Sequence, residues 1–162
     1  MVFVRFSGCN LQCPFCDTDH SARVEMTVEE IVAAVQARGG ACRRICLTGG
    51  EPSLQLDAAL VDALHGAGYR LHVETNGTRD LPEGLDWITL SPKAAPVVLE
   101  KADEVKLVLS EGIDPSPWEA FPAPWHFIQP CSCRNTEEVI EYVKAHPQWR
   151  LSLQTHKYLA IP

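Results

Sequence analysis

The sequence lacks the features that would place the protein in a membrane or on nucleic acid. No apolar run approaches the roughly 20 residues that a membrane-spanning helix needs. Basic residues are in the minority, with 14 Lys and Arg against 21 Asp and Glu, so the net charge is −7. Because nucleic acids and anionic membranes are bound through basic surfaces, we expect neither as a partner.

The beginning of the sequence also lacks the long apolar stretch of a secretory signal peptide, since Met1 is followed within a few residues by Arg5. We therefore expect a cytoplasmic protein. Hydrophobic residues make up 46% of the 162 residues, which is an ordinary globular proportion and enough to build a core. The length is typical of one domain, and we expect a single domain over residues 1–162.

Seven cysteines are unusual for such a chain. An odd number in a reducing compartment disfavours a disulfide scaffold and favours metal or redox chemistry. Three of them, Cys9, Cys13 and Cys16, have a C-x3-C-x2-C spacing. Together with His20 they are a candidate Cys3His zinc site. They are also one short of the four cysteines that usually hold a four-iron cluster, which would leave one iron open to a small molecule.

Strand and helix patterns alternate along the chain, which is typical of α/β domains. Apolar runs predict strands at 2–6, 44–48, 69–75, 87–90, 104–109, 125–129 and 150–154. Helices are predicted between Thr27 and Gly39, where Thr27 and Glu30 form a capping box, and at 56–65 and 135–145. Helices are missing after some strands, so we expect an incomplete (β/α)6-type TIM-like barrel with reduced helices and loops.

Polar or glycine-rich clusters follow several of the predicted strands. They are Gly49-Gly50-Glu51-Pro52, Glu74-Thr75-Asn76-Gly77, Ser91-Pro92-Lys93 and Gln129-Pro130. In parallel α/β sheets and barrels, ligands bind at the carboxyl ends of the strands. The sequence therefore predicts one site at that edge.

The cysteine loop follows a first strand, carries the aromatic Phe15 before its last cysteine, and is followed by a Gly-Gly-Glu-Pro step after the next strand. This combination resembles the radical S-adenosylmethionine (SAM) superfamily. The resemblance implies a [4Fe-4S] cluster on Cys9, Cys13 and Cys16, whose open iron binds the amino and carboxylate groups of SAM. It also implies cleavage of SAM to methionine and a 5′-deoxyadenosyl radical, with the protein supplying geometry and electrostatics.

Within that superfamily the sequence is most similar to the 7-carboxy-7-deazaguanine synthase family. The matching segments run in order through nearly the whole chain, from 3–11 through 16–18, 47–52, 74–78, 91–93 and 129–130 to 154–157. The similarity implies conversion of 6-carboxy-5,6,7,8-tetrahydropterin to 7-carboxy-7-deazaguanine with loss of ammonia, in queuosine-type deazapurine biosynthesis. The implied cofactors are the cluster, SAM and Mg²⁺. The implied partners are the small pterin, a flavodoxin-like external electron donor and a second copy of the chain in a homodimer.

The resemblance also implies roles for individual residues. Contacts to SAM are expected from Phe15, Cys16, Asp17, Gly50, Ser91, Pro92, Lys93 and Gln129. Contacts to the substrate are expected from Arg5, Thr48, His156 and the terminal carboxylate of Pro162, and Thr18 is expected to bind Mg²⁺ together with the substrate. Plainer interpretations remain open, in which the Gly-Gly step is a turn, Arg5 a surface residue and His156 structural.

Two alternatives to this function stay open on the sequence alone. A different radical SAM enzyme, such as a glycyl-radical activase, uses the same cysteine spacing. A non-enzymatic zinc or iron–sulfur module would also use these cysteines. The sequence departs from the family at its beginning, where relatives usually carry a Gln-Gly-Glu-Gly segment that helps to enclose the substrate, so we expect a shortened form or a mis-set gene start.

Overall fold

The computed structural model describes residues 1–21, 24–93 and 96–160. Within them, parallel strands form one sheet whose spatial order is the order of the sequence. The strands are β1 (Val2–Phe6), β2 (Arg44–Gly49), β3 (Arg70–Thr75), β4 (Trp87–Leu90), β5 (Glu104–Leu109), β6 (Trp125–Pro130) and β7 (Arg150–Leu151). This is the incomplete TIM-like barrel that the sequence predicted, with the short β7 as a strand beyond the sixth.

Four α-helices are described, α1 (Val28–Gly39), α2 (Ala58–Gly66), α3 (Thr136–Ala145) and α4 (Thr155–Leu159). The predicted capping box begins α1, since the Thr27 hydroxyl accepts from the Glu30 N–H at 3.3 Å and the Glu30 carboxylate from the Thr27 N–H at 2.7 Å. In the described part of the chain no α-helix lies between β3 and β6, which confirms the reduced helices. No helix there is long and apolar enough to cross a membrane.

Alternation along the strands separates a buried outer face from an inner face. On β3, Leu71 and Val73 are fully buried against the helices, whereas His72 and Glu74 are partly exposed. The core lies between the outer face of the sheet and helices α1 to α3, and its fully buried members include Ile45, Leu47, Leu64, Leu71, Val73, Leu107, Ile128 and Val139. The inner face is thus left for polar side chains and a ligand.

The last strand is shorter than the predicted 150–154. It ends at Leu151, and the Ser152 N–H still donates to the Ile128 carbonyl at 2.9 Å. The next bond of a parallel ladder would need an N–H from residue 130, which is proline and has none. The chain therefore leaves the sheet after Ser152, and α4 begins at Thr155.

The Gly-Gly step at the end of β2 is required by packing inside the protein. The Gly50 N–H donates to the Phe6 carbonyl at 2.8 Å, and the Glu51 N–H donates to the Gly8 carbonyl at 2.9 Å. A Cβ atom at Gly50 would lie well inside the contact distance of the Gly8 carbonyl oxygen. The end of β2 thereby holds the start of the cysteine loop by its backbone.

We expect Gly50→Ala to lower the free energy of unfolding by about 3 kcal/mol or more, because the clash is with backbone that cannot turn aside. Gly66→Ala is the matched control, since a Cβ at this helical position meets nothing within 4 Å. Denaturant unfolding of both variants measures the difference. Equal stabilities for the two variants would contradict the packing argument.

Candidate active site

A cavity of about 640 Å³ lies at the carboxyl ends of the strands. It brings together all but two of the residues that the sequence predicted for the site, namely Arg5, Cys9, Cys13, Phe15, Cys16, Asp17, Thr18, Thr48, Gly50, Ser91, Lys93, Gln129 and His156. Pro92 is buried and does not line the cavity. Pro162 lies outside the described residues.

The three clustered cysteines all line this cavity, and none is in a disulfide. The loop is compact, since the Cys16 N–H donates to the Cys13 carbonyl at 3.0 Å. Burial raises the pKa of the Cys13 thiol, the Lys93 ammonium opposes this effect, and the neighbouring Cys16 and Cys9 add to it. The three thiols and one cation therefore lie within electrostatic reach of one another.

The arrangement of these thiols distinguishes between two kinds of metal centre. Within residues 1–21, 24–93 and 96–160, no group of three or more His, Cys, Asp or Glu side chains is close enough to hold a single metal ion. A Cys3His zinc centre with His20 is therefore not formed in this geometry. In a four-iron cluster each thiolate binds a different iron, so the sulfurs stand farther apart. Three thiols on one cavity wall, with a cation beside them, fit such a cluster.

Glu51 connects the ends of β2 and β3 beside the cavity. Its carboxylate is only 1% exposed and accepts hydrogen bonds from the Ser53 N–H at 3.0 Å, the Thr75 hydroxyl at 2.6 Å and the Asn76 N–H at 2.7 Å. A buried carboxylate is tolerated when several donors replace its lost water. Three donors from two chain segments bind the carboxylate, which therefore connects the ends of β2 and β3.

Asn76 extends this connection to the cysteine loop. Its amide donates to the Asn10 side chain at 3.0 Å, and the Asn10 amide donates to the Thr78 hydroxyl at 2.7 Å. The side-chain oxygen of Asn76, Oδ1, accepts from the N–H and the hydroxyl of Thr78 at 3.0 and 2.7 Å. The position of the loop that carries the cysteines is therefore set by the end of β3.

A second group of predicted residues lies near Cys13. Lys93 donates to the hydroxyl and carbonyl of Ser91 at 2.7 and 3.0 Å, and its ammonium is 6.0 Å from the centre of the Phe15 ring. Burial lowers the pKa of Lys93, and the Cys13 thiol opposes this change. Gln129, on β6, is nearly buried, and its amide oxygen accepts from the Ser152 hydroxyl at 3.2 Å.

Arg5 and Thr48 face the cavity from β1 and β2, where they are register partners. Sequence reasoning missed an ion pair that also lines the cavity, Glu74 on β3 with Lys106 on β5 at 2.6 Å. The sequence does contain a signal for this pair. Glu74 and Lys106 each alternate with buried residues along their strands, which places both charged side chains on the face away from the core. The inner face of the sheet is thus more strongly charged than the sequence analysis proposed.

The structure places Asp17 against the C-terminal part of the chain. Its carboxylate accepts from the Lys157 ammonium, from the Gln154 amide at 3.2 Å and from the Ser132 hydroxyl at 3.3 Å. Burial raises the pKa of Asp17, but the hydrogen bonds from Lys157 and Gln154 outweigh it and leave the pKa below its usual value. The Asp17 carboxylate is therefore occupied by donors from the C-terminal part of the chain.

Comparison with known proteins identifies the relatives of this chain. Residues 3–111 match the Radical SAM superfamily. The chain is 53% identical over 161 residues to the 7-carboxy-7-deazaguanine synthase of Bacteroides thetaiotaomicron, with 99% of this chain and 87% of the relative covered. It is 44% identical over 187 residues to the enzyme of the same name from Caulobacter vibrioides, with 99% and 89% covered.

A solved structure resembles the whole fold. The crystal structure of QueE from Escherichia coli superposes with a TM-score of 0.76 at 26% sequence identity, over 94% of this chain and 84% of that one. The resemblance therefore includes the C-terminal third, beyond the residues that match the superfamily.

We expect Glu51→Gln to lower the free energy of unfolding by about 2 kcal/mol or more, because the glutamine amide would turn a donor toward groups that are themselves donors. Glu141→Gln is the control, since Glu141 is 70% exposed and pairs only with Lys144 on the surface of α3. Denaturant unfolding of the two variants is the measurement. A loss no larger in Glu51→Gln than in the control would show that the buried carboxylate does not hold the strand ends.

Proposed function

The chain belongs to the 7-carboxy-7-deazaguanine synthase family of the radical SAM superfamily, and we propose that it catalyses the conversion of 6-carboxy-5,6,7,8-tetrahydropterin to 7-carboxy-7-deazaguanine. The observation that carries the proposal is one cavity lined both by Cys9, Cys13 and Cys16 and by the Arg5–Thr48 pair. Loss of ammonia accounts for the whole change in composition, so the reaction needs no net oxidant. The product would feed deazapurine synthesis of the queuosine type.

Cys9, Cys13 and Cys16 would hold the [4Fe-4S] cluster, with one iron left for SAM. When bound, the cluster and SAM supply an electron and a carbon radical that removes a substrate hydrogen. The contribution of the chain is to place SAM and the pterin together and to balance their charges. The charges of the cavity wall therefore decide how each ligand is oriented.

The cavity contains cations that pair with no carboxylate of the described residues, although the whole chain is acidic. Of its four Lys and Arg side chains, Lys106 is paired with Glu74 and Lys157 with Asp17. Within the described residues, Arg5 and Lys93 make no ion pair with a carboxylate. Two unpaired cations in one cavity match two anionic groups, the carboxylate of SAM and the carboxylate of the pterin.

On the SAM side, Lys93 is oriented by Ser91, and we assign its ammonium to the methionine carboxylate. The backbone of residues 15–17 and the Gln129 amide, which Ser152 holds, would contact the adenosine. Gly50 presents backbone at the same strand ends. Pro92, buried behind Ser91 and Lys93, would fix their direction rather than contact SAM by its ring.

On the substrate side, the planar guanidinium of Arg5 suits a bidentate contact with the pterin carboxylate. The Thr48 hydroxyl, on the neighbouring strand, would hydrogen-bond the pterin ring. His156 lines the cavity from α4 and would contact the substrate from the opposite end of the sheet. The contact proposed for Pro162 stays a prediction.

We also propose that Thr18 binds Mg²⁺ together with the substrate carboxylate. Mg²⁺ keeps several waters and needs few protein oxygens, so one hydroxyl in the cavity is enough when the substrate supplies the rest. The flavodoxin-like electron donor, the homodimer and the cytoplasmic location stay predictions.

A glycyl-radical activase is the second candidate, because it shares the cysteine spacing. Such an enzyme must admit a segment of another protein, whereas a cavity of about 640 Å³ has the size of a small-molecule site. The size of the cavity and its two cations, Arg5 and Lys93, favour two small ligands that each carry one carboxylate. The family to which the chain belongs agrees with this choice.

The direct test is anaerobic reconstitution with iron and sulfide, followed by incubation with SAM, dithionite, Mg²⁺ and carboxytetrahydropterin. We expect formation of 7-carboxy-7-deazaguanine, identified by mass and absorbance. Cys13→Ala should lose the cluster and all activity, whereas Cys42→Ala, outside the cavity, should keep both. A wild type that binds iron and sulfide but forms no deazaguanine would contradict the proposed substrate. A wild type that holds zinc in place of iron would contradict the proposed radical SAM activity.

The Mg²⁺ site has its own test. We expect Thr18→Val to raise the Mg²⁺ concentration needed for half-maximal turnover roughly tenfold, since one of few oxygen ligands is lost. Thr18→Ser keeps the hydroxyl and should behave like the wild type. An unchanged Mg²⁺ requirement in Thr18→Val would assign the metal to other oxygens.

A further inference from the structure

The short helix α4 has little apolar packing to hold it in place. It has five residues, and within it Tyr158 is 50% and Leu159 67% exposed. A helix of this length is not stable by itself in water. Yet His156 lines the cavity from this helix, so its position matters to the site. The contacts that hold it must therefore be polar.

Most of these contacts converge on one carboxylate in the cysteine loop, and a further hydrogen bond joins the Tyr158 and Thr136 hydroxyls at 2.8 Å. Asp17 accepts from Lys157 in α4, from Gln154 before α4 and from Ser132 after β6. Lys157 also donates to the Ser132 hydroxyl at 3.1 Å. The side chains of Lys157 and Asp17 are 29% and 41% exposed, so the pair is partly shielded from water. We call these four residues the latch.

The turn that presents Ser132 adds a second observation. Ser132 and Cys133 have φ angles of 49° and 65°, a left-handed conformation that is unfavourable for residues other than glycine. Two such residues in succession cost free energy that other contacts must offset. The hydroxyl of Ser132 reaches both Asp17 and Lys157 from this turn. The strained backbone therefore delivers one member of the latch.

We propose that Asp17 and Lys157, with Ser132 and Gln154, are positioning residues that hold α4 against the cysteine loop, so that His156 faces the substrate only while this loop is ordered. The loop follows β1 and α4 follows β7, so the latch spans the two ends of the open sheet. Asp17 adjoins Cys16 and Thr18, and Lys157 adjoins His156. Order in one segment thereby supports order in the other, and the coupling is reciprocal.

The substrate side of this inference rests on the proposed function, but the coupling of the two segments does not. Hydrogen exchange of the reconstituted holoenzyme tests the coupling without any substrate. In Lys157→Met, peptides covering 150–160 should exchange roughly tenfold faster, which is the effect of one charge-assisted hydrogen bond. Lys157→Arg keeps a donor and should restore protection, and Lys144→Met, which breaks an exposed pair on α3, should change nothing here. Unchanged exchange in Lys157→Met would overturn the latch.

Kinetics test the consequence for the substrate. Asp17→Asn and Lys157→Met should each raise the KM for carboxytetrahydropterin roughly tenfold. In Lys157→Met, which leaves the side chains of the cysteine loop in place, the iron content should stay unchanged. The double variant should be no worse than the poorer single variant, because both remove the same contact. Multiplied losses in the double variant, or loss of iron in Lys157→Met, would overturn the positioning role. A wild type that makes no deazaguanine would overturn the proposed function and leave the exchange result to decide on the latch.

Discussion

The site depends on one buried carboxylate. Glu51 joins the end of β2 to the end of β3, and through Asn76 and Asn10 it also sets the position of the loop that carries the cysteines. A charge in this place is costly unless donors surround it, and here every donor comes from a segment that the site must align. Gly50 also helps to place the cysteine loop, because its lack of a side chain lets the backbone of residues 6–8 pack closely against the end of β2. The three thiols therefore share one cavity wall.

The charges of the cavity explain how an acidic chain recognises anions. Overall the protein carries −7, but Lys106 and Lys157 are neutralised locally, and Arg5 and Lys93 remain for ligands. Burial strengthens the effect for Lys93, since a cation removed from water interacts more strongly with a carboxylate than one on the surface, whereas Arg5 is exposed. Burial also lowers the pKa of Lys93. The cysteine thiolates oppose this effect and favour the charged form of Lys93, and a bound carboxylate would do the same. The two cations would thus suit the carboxylates of the proposed ligands.

The fold and most residues of the cavity could be predicted from the sequence, because the carboxyl ends of parallel strands lie at one edge of the sheet. Polar clusters at successive strand ends must meet at one edge, so Cys9, Gly50, Lys93 and Gln129 meet in one cavity. Contacts between side chains were less predictable. Glu74 and Lys106 pair across two strands with β4 between them, and Asp17 and Lys157 are 140 residues apart in the chain. The end of β7 depended on a missing N–H in a neighbouring strand, and periodicity within one segment does not reveal it.

The two halves of the site differ in how firmly they are held. The thiols, Ser91 and Lys93 belong to the part that matches the superfamily, residues 3–111, and are anchored to buried strands. His156 and Lys157 lie beyond it on a short helix that follows the two-residue strand β7, and Ser132 lies in a strained turn, and none of these elements has a buried residue. Elements with few buried contacts open at low cost and are the usual places of ligand-dependent ordering. The buried strands thus carry the thiols and Lys93 together with Arg5 and Thr48, whereas His156 is placed by a segment that polar contacts hold.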